Sequence, residues 1–295
     1  MLRRLCVHAV VLAALLPASV SAQAGRAAFD EGVRLMGRND AARAEKQFER
    51  AIAQEPKVGE YHLWLGRAVG QQAQEASILR QPFLARRTKA AFEKAVELDP
   101  ELLDARDGLI QFYLMAPAVM GGSVDKAQEQ QREIARRNPV RGHQAAANIA
   151  WHARDTVATE RALRAAAAAV PDSLGPTLSL ASRLVNWNRA EQAAAVYIEF
   201  LGRHPDSRPV RYQFGRMSAV SGHELAAGER YLRALIADTT WEPSTWMPSR
   251  AAVHARLGDV LRRQQRREDA RAEYDRALAL DKDLEIAKAG LKALP

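Results

Sequence analysis

Histidine is the side chain most often recruited as a general base or a metal ligand near neutral pH. Beyond residue 24 the chain carries six: His62, His143, His152, His204, His223 and His254. None pairs with another at the i, i+4 spacing that sets two imidazoles on one helix face. His223-Glu224 opens like a zinc-hydrolase helix, but the place of the second histidine is taken by Ala227, which cannot hold a metal. Gly121-Gly122-Ser123-Val124-Asp125 lacks the final glycine of a nucleophile elbow. No phosphate loop of the Walker or the Gly-x-Gly-x-x-Gly kind occurs. Carboxylates are plentiful, yet they sit among arginines at i, i+4, the pattern of solvated helix faces. The expectation is a non-enzymatic chain with no catalytic residue, no metal site and no cofactor.

The groups left over suit contact rather than reaction. Arg262, Arg263, Arg266 and Arg267 form the densest positive run, which reads either as an ordinary charged turn or as a patch for an anionic contact. Trp241 and Trp246 are either anchors for a partner, since interfaces favour tryptophan, or packing for the long loop that holds them. The balance of 43 Lys and Arg against 35 Asp and Glu is only modestly basic. Basic and aromatic residues do not interleave as a nucleic-acid groove requires, so nucleic acid is not an expected partner.

The elements that must position these groups begin after a leader. Arg3 and Arg4 precede an apolar core from Leu5 to Leu16, interrupted only by His8, and small residues follow Pro17. Residues 1–24 therefore predict a cleaved secretory signal. Val20-Ser21-Ala22 and Ala22-Gln23-Ala24 both suit the signal peptidase, so the mature chain starts at Gln23 or Gly25. Cys6 lies ahead of the apolar core, where it offers no lipid-attachment site, and it leaves with the leader. Loss of Arg3 and Arg4 leaves 41 basic against 35 acidic side chains, a net charge of +6. No later run is apolar enough to span a membrane. A periplasmic or secreted protein is expected.

The rest of the chain repeats. Helix-forming blocks end at Pro56, Pro100, Pro139, Pro171 and Pro205, and proline both lacks an N–H and restricts the residue before it, so it punctuates helix ends. With proline as position 32 of a 34-residue frame, positions 8, 20, 24 and 27 of the first unit hold Gly32, Ala44, Phe48 and Ala51. The fourth gives Ala147, Thr159, Leu163 and Ala166, and the fifth Ala181, Ala193, Tyr197 and Phe200. The sixth gives Gly215, Ala227, Tyr231 and Ala234, and the last Gly258, Ala270, Tyr274 and Ala277. Small residues let two antiparallel helices approach, and the large residue at position 24 fills the space beside them. Unit two fits with Leu65-Gly66, Thr88, Phe92 and Ala95, and unit three pairs Gly108 with Ala127. Both need longer internal turns, around residues 74–83 and 115–122, and a further insertion covers 242–250.

This pattern resembles the tetratricopeptide repeat of exported bacterial proteins. The resemblance implies an all-α fold: a right-handed TPR superhelix, or α-solenoid, of about seven helix-turn-helix repeats at 25–58, 59–100, 101–139, 140–173, 174–207, 208–241 and 251–284, with a C-terminal capping helix at 285–295. It also implies binding along the concave face at positions 2, 5, 9, 12 and 13 of the first helices. Those positions give Arg67, Tyr113, Asn148, Trp151, His152, Tyr212 and Arg216 as the candidate partner-binding groove. The family's carboxylate clamp needs lysine at position 5, which no unit has. The expected function is a non-enzymatic scaffold holding a protein or peptide of the cell envelope. The alternative is a binder of anionic envelope polymer, peptidoglycan or surface polysaccharide. His62, His143 and His254 fall at position 4, where packing is the expected role.

Overall fold

The computed structural model describes residues 18–244 and 246–294. Residues 1–17, with Arg3, Arg4, Cys6 and the apolar core of the expected leader, lie outside the described residues. What is described is helical, apart from turns and one isolated antiparallel bridge between Ser244 and Met247. The chain divides into two units, the first ending at Arg137 and the second beginning at Asn138.

The first unit holds α1 (Ala18–Gly37), α2 (Ala41–Gln54), α3 (Gly59–Glu75), α4 (Gln81–Leu98), α5 (Leu103–Met115) and α6 (Val124–Arg137), with a 3-10 turn at Ala118–Met120. The second holds α7 (Pro139–His152), α8 (Thr156–Ala169), α9 (Leu174–Asn186), α10 (Ala190–Arg203), α11 (Arg208–Ser221) and α12 (Leu225–Ala237). It continues through α13 (Arg250–Arg263), α14 (Arg267–Leu280) and the short closing helix α15 (Glu285–Lys292). In both units, helices pack chiefly on their neighbours in sequence, as antiparallel pairs placed side by side.

The ends of these helices follow from their sequence. Each of the five prolines stands two residues beyond the last residue of α2, α4, α6, α8 or α10. The residue between has left the helical region, with ψ between 69° and 96° at Glu55, Asp99, Asn138, Val170 and His204, as the bulk of a following proline requires. Asp40, Asn138, Asp155 and Ser249 accept a backbone N–H from the third residue on and so start α2, α7, α8 and α13. The tight hairpin turn repeats a left-handed residue at frame position 15: Asn39, Arg154, Asn188 and Gln265, with φ between 58° and 64°.

The core is built from the small-against-large contact. Gly32 faces the ring of Phe48, where a Cβ would fall 2.5 Å from a ring carbon. Gly258 faces Tyr274 in the same way at 2.6 Å. One expectation is extended and one needs correction. The missing Cβ of Gly108 would lie 2.8 Å from Phe92 of the preceding pair, and that ring also faces Gly66 at 2.7 Å. The position-24 aromatic thus serves the repeat after it as well as its own. In α12 the buried positions are Gly228, Leu232 and Leu235, not Ala227, Tyr231 and Ala234. The cause is the turn: after Gly222 (φ 81°), Glu224 also adopts a left-handed conformation (φ 51°), which starts α12 one residue late and turns every side chain by one position.

Asp238, just past α12, illustrates a polar tie. Its carboxylate accepts the Thr240 hydroxyl at 2.6 Å, the Thr240 N–H at 2.9 Å and Arg208 Nε at 2.7 Å. These donors, Thr240 first, hold its pKa at about 2, below the ordinary 3.8. A depressed carboxylate pKa contributes stability that is present above 3.8 and lost as pH falls towards 2. Trp241 is the adjacent probe, buried with its indole N–H donating to the Leu235 carbonyl at 3.0 Å. Acid titration followed by tryptophan emission is expected to show a transition between pH 4 and about 2 that Asp238→Asn lacks. Identical curves for the two proteins would remove Asp238 from the account of acid stability.

Candidate partner-binding face

The first-helix face is clearest in the second unit. Asn138 caps α7 and Pro139 occupies its first turn, which fixes where the positions 9, 12 and 13 of that helix point. Asn148, Trp151 and His152 are all exposed. Trp151 is 45% exposed, and its ring carries the guanidinium of Arg183, from the next pair, at 3.9 Å. Trp187, the residue that ends α9, approaches Trp151 with ring centroids 6.5 Å apart and planes at 41°. Arg183 forms no ion pair among the described residues. A cation held flat on an indole keeps its N–H edges available. The group therefore offers a large apolar face, a positive charge and, from Asn148, a neutral donor and acceptor.

Arg183 and Trp187 escaped the sequence reading. They sit at frame positions 10 and 14, outside the inherited set, and the signal for them was positional: a tryptophan at position 14 lies one repeat on from one at position 12.

The other five candidates are placed as follows. Arg216, on α11, is half-buried, and its Nε donates to Gln213 at 2.8 Å. Arg67, on α3, donates to Asp104 at 2.7 Å and lies 4.8 Å over the Trp64 ring. His152 ends α7 beside Trp151. Tyr113 and Tyr212 are buried, so a partner cannot lie on their rings, and for these two the frame position misjudged the side. Tyr113 packs edge-on against Phe112, and burial, then Glu93, pushes its phenol up to about 12. Arg67 and Tyr113 belong to the first unit and the remaining five to the second.

Other groups singled out for contact turn inward. Arg263 donates to the carbonyls of Ala219 and Val220, both at 2.5 Å, closing the end of α11. Arg266 bridges both oxygens of Glu229 at 2.9 Å. Arg262 also turns its buried Nε inward, beside Tyr274, so three of the four arginines of the run are tied to the fold. Trp241 is core, under the Arg250 guanidinium at 4.5 Å, whereas Trp246 stays about half exposed. Among the histidines, His62 meets the Pro56 carbonyl at 2.9 Å, His204 meets Asp172 at 2.9 Å and His254 meets Glu273 at 2.7 Å. Among the described residues no three His, Cys, Asp or Glu side chains are grouped to hold a metal.

Comparison with known proteins agrees with this architecture. Two family models described as tetratricopeptide repeat match, one at residues 29–76 in the first unit and one at 251–284 in the second. A tetratricopeptide repeat protein from Parabacteroides merdae ATCC 43184 is similar over 92% of this chain and 98% of its own, with TM-score 0.50 and 13% identity. Yeast Tom70 is similar over 95% of this chain, which spans 57% of that one, with TM-score 0.55 and 12% identity. At such identities the likeness is one of fold. No curated protein matches the chain. Helices paired in frame, glycine seated under the position-24 ring and family models matched in both units identify residues 29–76 and 251–284 as tetratricopeptide repeats, within a fold shared with tetratricopeptide repeat proteins.

Proposed function

We propose that this chain is an exported, non-enzymatic scaffold that holds a segment of a partner protein against the face formed by α7 and α9. Tetratricopeptide repeats are a protein-interaction fold, which supports the general role. The observation that carries the specific reading is Arg183 lying 3.9 Å over the half-exposed Trp151, with no acidic partner among the described residues, beside the exposed Asn148. Aromatic and arginine side chains dominate the energetics of protein interfaces. An asparagine amide pairs well with an extended main chain. Arg216 on α11, which packs on α9, extends the same face.

Export rests on the leader. Gln23 and Ala24 are exposed and Gly25 is buried, so a cut before Gly25 takes no packed side chain from residues 23–24. N-terminal sequencing of the protein from its native host is expected to begin at Gln23 or Gly25, and an intact Met1 would end the export reading.

The binding reading is tested by affinity capture from envelope extracts, comparing the parent with Asn148→Ala, Arg183→Ala and Arg216→Ala. All three are expected to melt like the parent, because these side chains are exposed or half-buried. The Arg183 variant should lose partner roughly tenfold, about 1.4 kcal/mol. Equal capture by all three variants would contradict the face. Capture abolished by moderate salt, with glycan and no protein in the eluate, would favour the anionic polymer instead.

A further inference from the structure

The two lengthened turns of the first unit differ in chemistry from the tight ones. The tight turns at 38–40, 153–155 and 264–266 each carry an arginine and a second polar side chain. The turn from α3 to α4 and the link from α5 to α6 instead hold aliphatic residues out into solvent. Ile78 is 80% exposed, Leu79 92% and Val119 94%, and Phe83 and Met115 at their borders are more than half exposed. Pro117 and Ala118 are exposed as well. Side chains this bare stand at protruding tips, and their concentration is unusual on a surface that faces only water.

The fold brings the two tips together. Each follows the first helix of its pair, α3 and α5 pack on each other, and the 3-10 turn at Ala118–Met120 packs on α4. Gln81 and Pro117 border one cleft. The backbone of both turns is closed on itself. The N–H groups of Arg80 and Gln81 donate to the Ser77 carbonyl at 2.8 and 3.1 Å, and those of Met120 and Gly122 to the Pro117 carbonyl at 2.8 and 3.1 Å. The Gln81 side-chain amide donates to the Ala76 carbonyl at 3.1 Å. Polar backbone that is paired internally tolerates an apolar medium, whereas unpaired backbone does not. Residues 76–83 and 115–123 contain no acid, and Arg80 is their one charged side chain. The exposed charges that flank them are balanced, Glu75 and Asp125 against Arg86 and Lys126.

We infer that these two turns form an interfacial membrane anchor, in which Ile78, Leu79 and Val119 enter the boundary between headgroups and acyl chains of a phospholipid bilayer. Convex, acid-free tips with closed backbone suit a fluid layer that flows around them. No carboxylate has to leave water, and the long stem of Arg80 lets its guanidinium stay among the headgroups. The balanced flanking charge makes apolar insertion, not attraction to anionic lipid, the driving force. Among the described residues no helix is long and apolar enough to cross a membrane, so the chain lies on the surface. The inference concerns the first unit and does not rest on the α7–α9 face.

The test is co-sedimentation of the chain from Gln23 onward, without its apolar leader, with vesicles of phosphatidylethanolamine and phosphatidylglycerol. The parent should bind, and binding should persist in high salt, which screens charge but not apolar insertion. Leu79→Asp and Val119→Asp should each lower the partition coefficient by roughly fivefold or more, while both keep the parent's circular dichroism. Arg183→Ala should bind vesicles like the parent. A solvent-sensitive fluorophore on Val119→Cys, the one thiol in that chain, should shift to the blue with vesicles and be quenched by a lipid carrying a nitroxide on its acyl chain. A parent that does not sediment with vesicles, binding that both aspartate variants retain, or a fluorophore that the nitroxide lipid leaves bright would overturn the inference. So would a parent that is dimeric by sedimentation equilibrium while Leu79→Asp is monomeric, since a second copy would then cover the turns.

Discussion

Replacing Tyr274 with alanine is expected to destabilise the second unit by about 3–5 kcal/mol, the cost of deleting a large buried ring and leaving a cavity. Tyr274 is fully buried on α14. Its ring is seated on Gly258 of α13, where a Cβ would fall 2.6 Å from it, and it also fills the space under Gly290 of the closing helix. Two backbones have been brought close by the absence of side chains, so neither can move in to fill the hole. The phenol hydroxyl donates to Asp259 at 2.9 Å, and that carboxylate is itself nearly buried. Alanine therefore also leaves Asp259 with one donor fewer. Tyr274→Phe separates the two contributions: it keeps the packing and should cost only about 1.5–3 kcal/mol, the range for a lost hydrogen bond to a charged group. Because repeats couple mainly to their neighbours, hydrogen exchange should show the loss concentrated in α13 to α15. An alanine variant within 1 kcal/mol of the parent in urea denaturation, roughly the size of one surface contact, would mean that these helices are not packed as described.

Gly66→Val should be nearly as damaging, by about 3 kcal/mol, at the upper end of the cost of overpacking a well-filled contact. Any Cβ at residue 66 falls 2.7 Å from the Phe92 ring, and Gly108 of the next pair also restrains that ring, at 2.8 Å. Intrinsic helix propensity runs the other way, since glycine is the poorer helix former by up to about 1 kcal/mol. The sign of the result thus decides between local propensity and packing. Gly70→Ala is the control on the same helix. Its Cβ would meet only the Thr88 side chain, whose methyl lies at 3.2 Å, and its effect should be small. Equal melting temperatures for Gly66→Val and the parent would show that α3 and α4 are further apart than the fold requires.

These two sites also mark how far the sequence could be read. Glycine at position 8 with an aromatic at position 24 was visible as a pairing, because the spacing recurs and its physical meaning is local to one helical hairpin. That Phe92 is shared with Gly108 of the next pair was not visible, since nothing in a 34-residue frame says which neighbour a small residue faces. The displacement of α12 had a signal only in retrospect: Gly222-His223-Glu224 holds two left-handed residues where the other tight turns hold one, and backbone conformation at a glutamate is not readable from its type. On the α7–α9 face, Asn148 and Trp151 were legible from the frame, whereas Tyr113 and Tyr212 fit the frame equally well and are buried. An aromatic can fill a core or cover a surface, and the frame position alone does not choose between them. Arg183 was missed because its significance lies in the 3.9 Å contact with Trp151 of a different repeat.

The face around Trp151 is tested most directly by placing a photo-crosslinking amino acid at residue 148, exposing the mature protein to envelope extract, and comparing it with the same probe at Arg161. Residue 161 is exposed on α8, the second helix of the same pair. The expected result is a discrete protein adduct at 148, absent at 161 and weakened when Arg183→Ala is added. Adducts of equal yield at both positions, or a protein adduct at 148 that survives Arg183→Ala undiminished, would contradict the role given to this face.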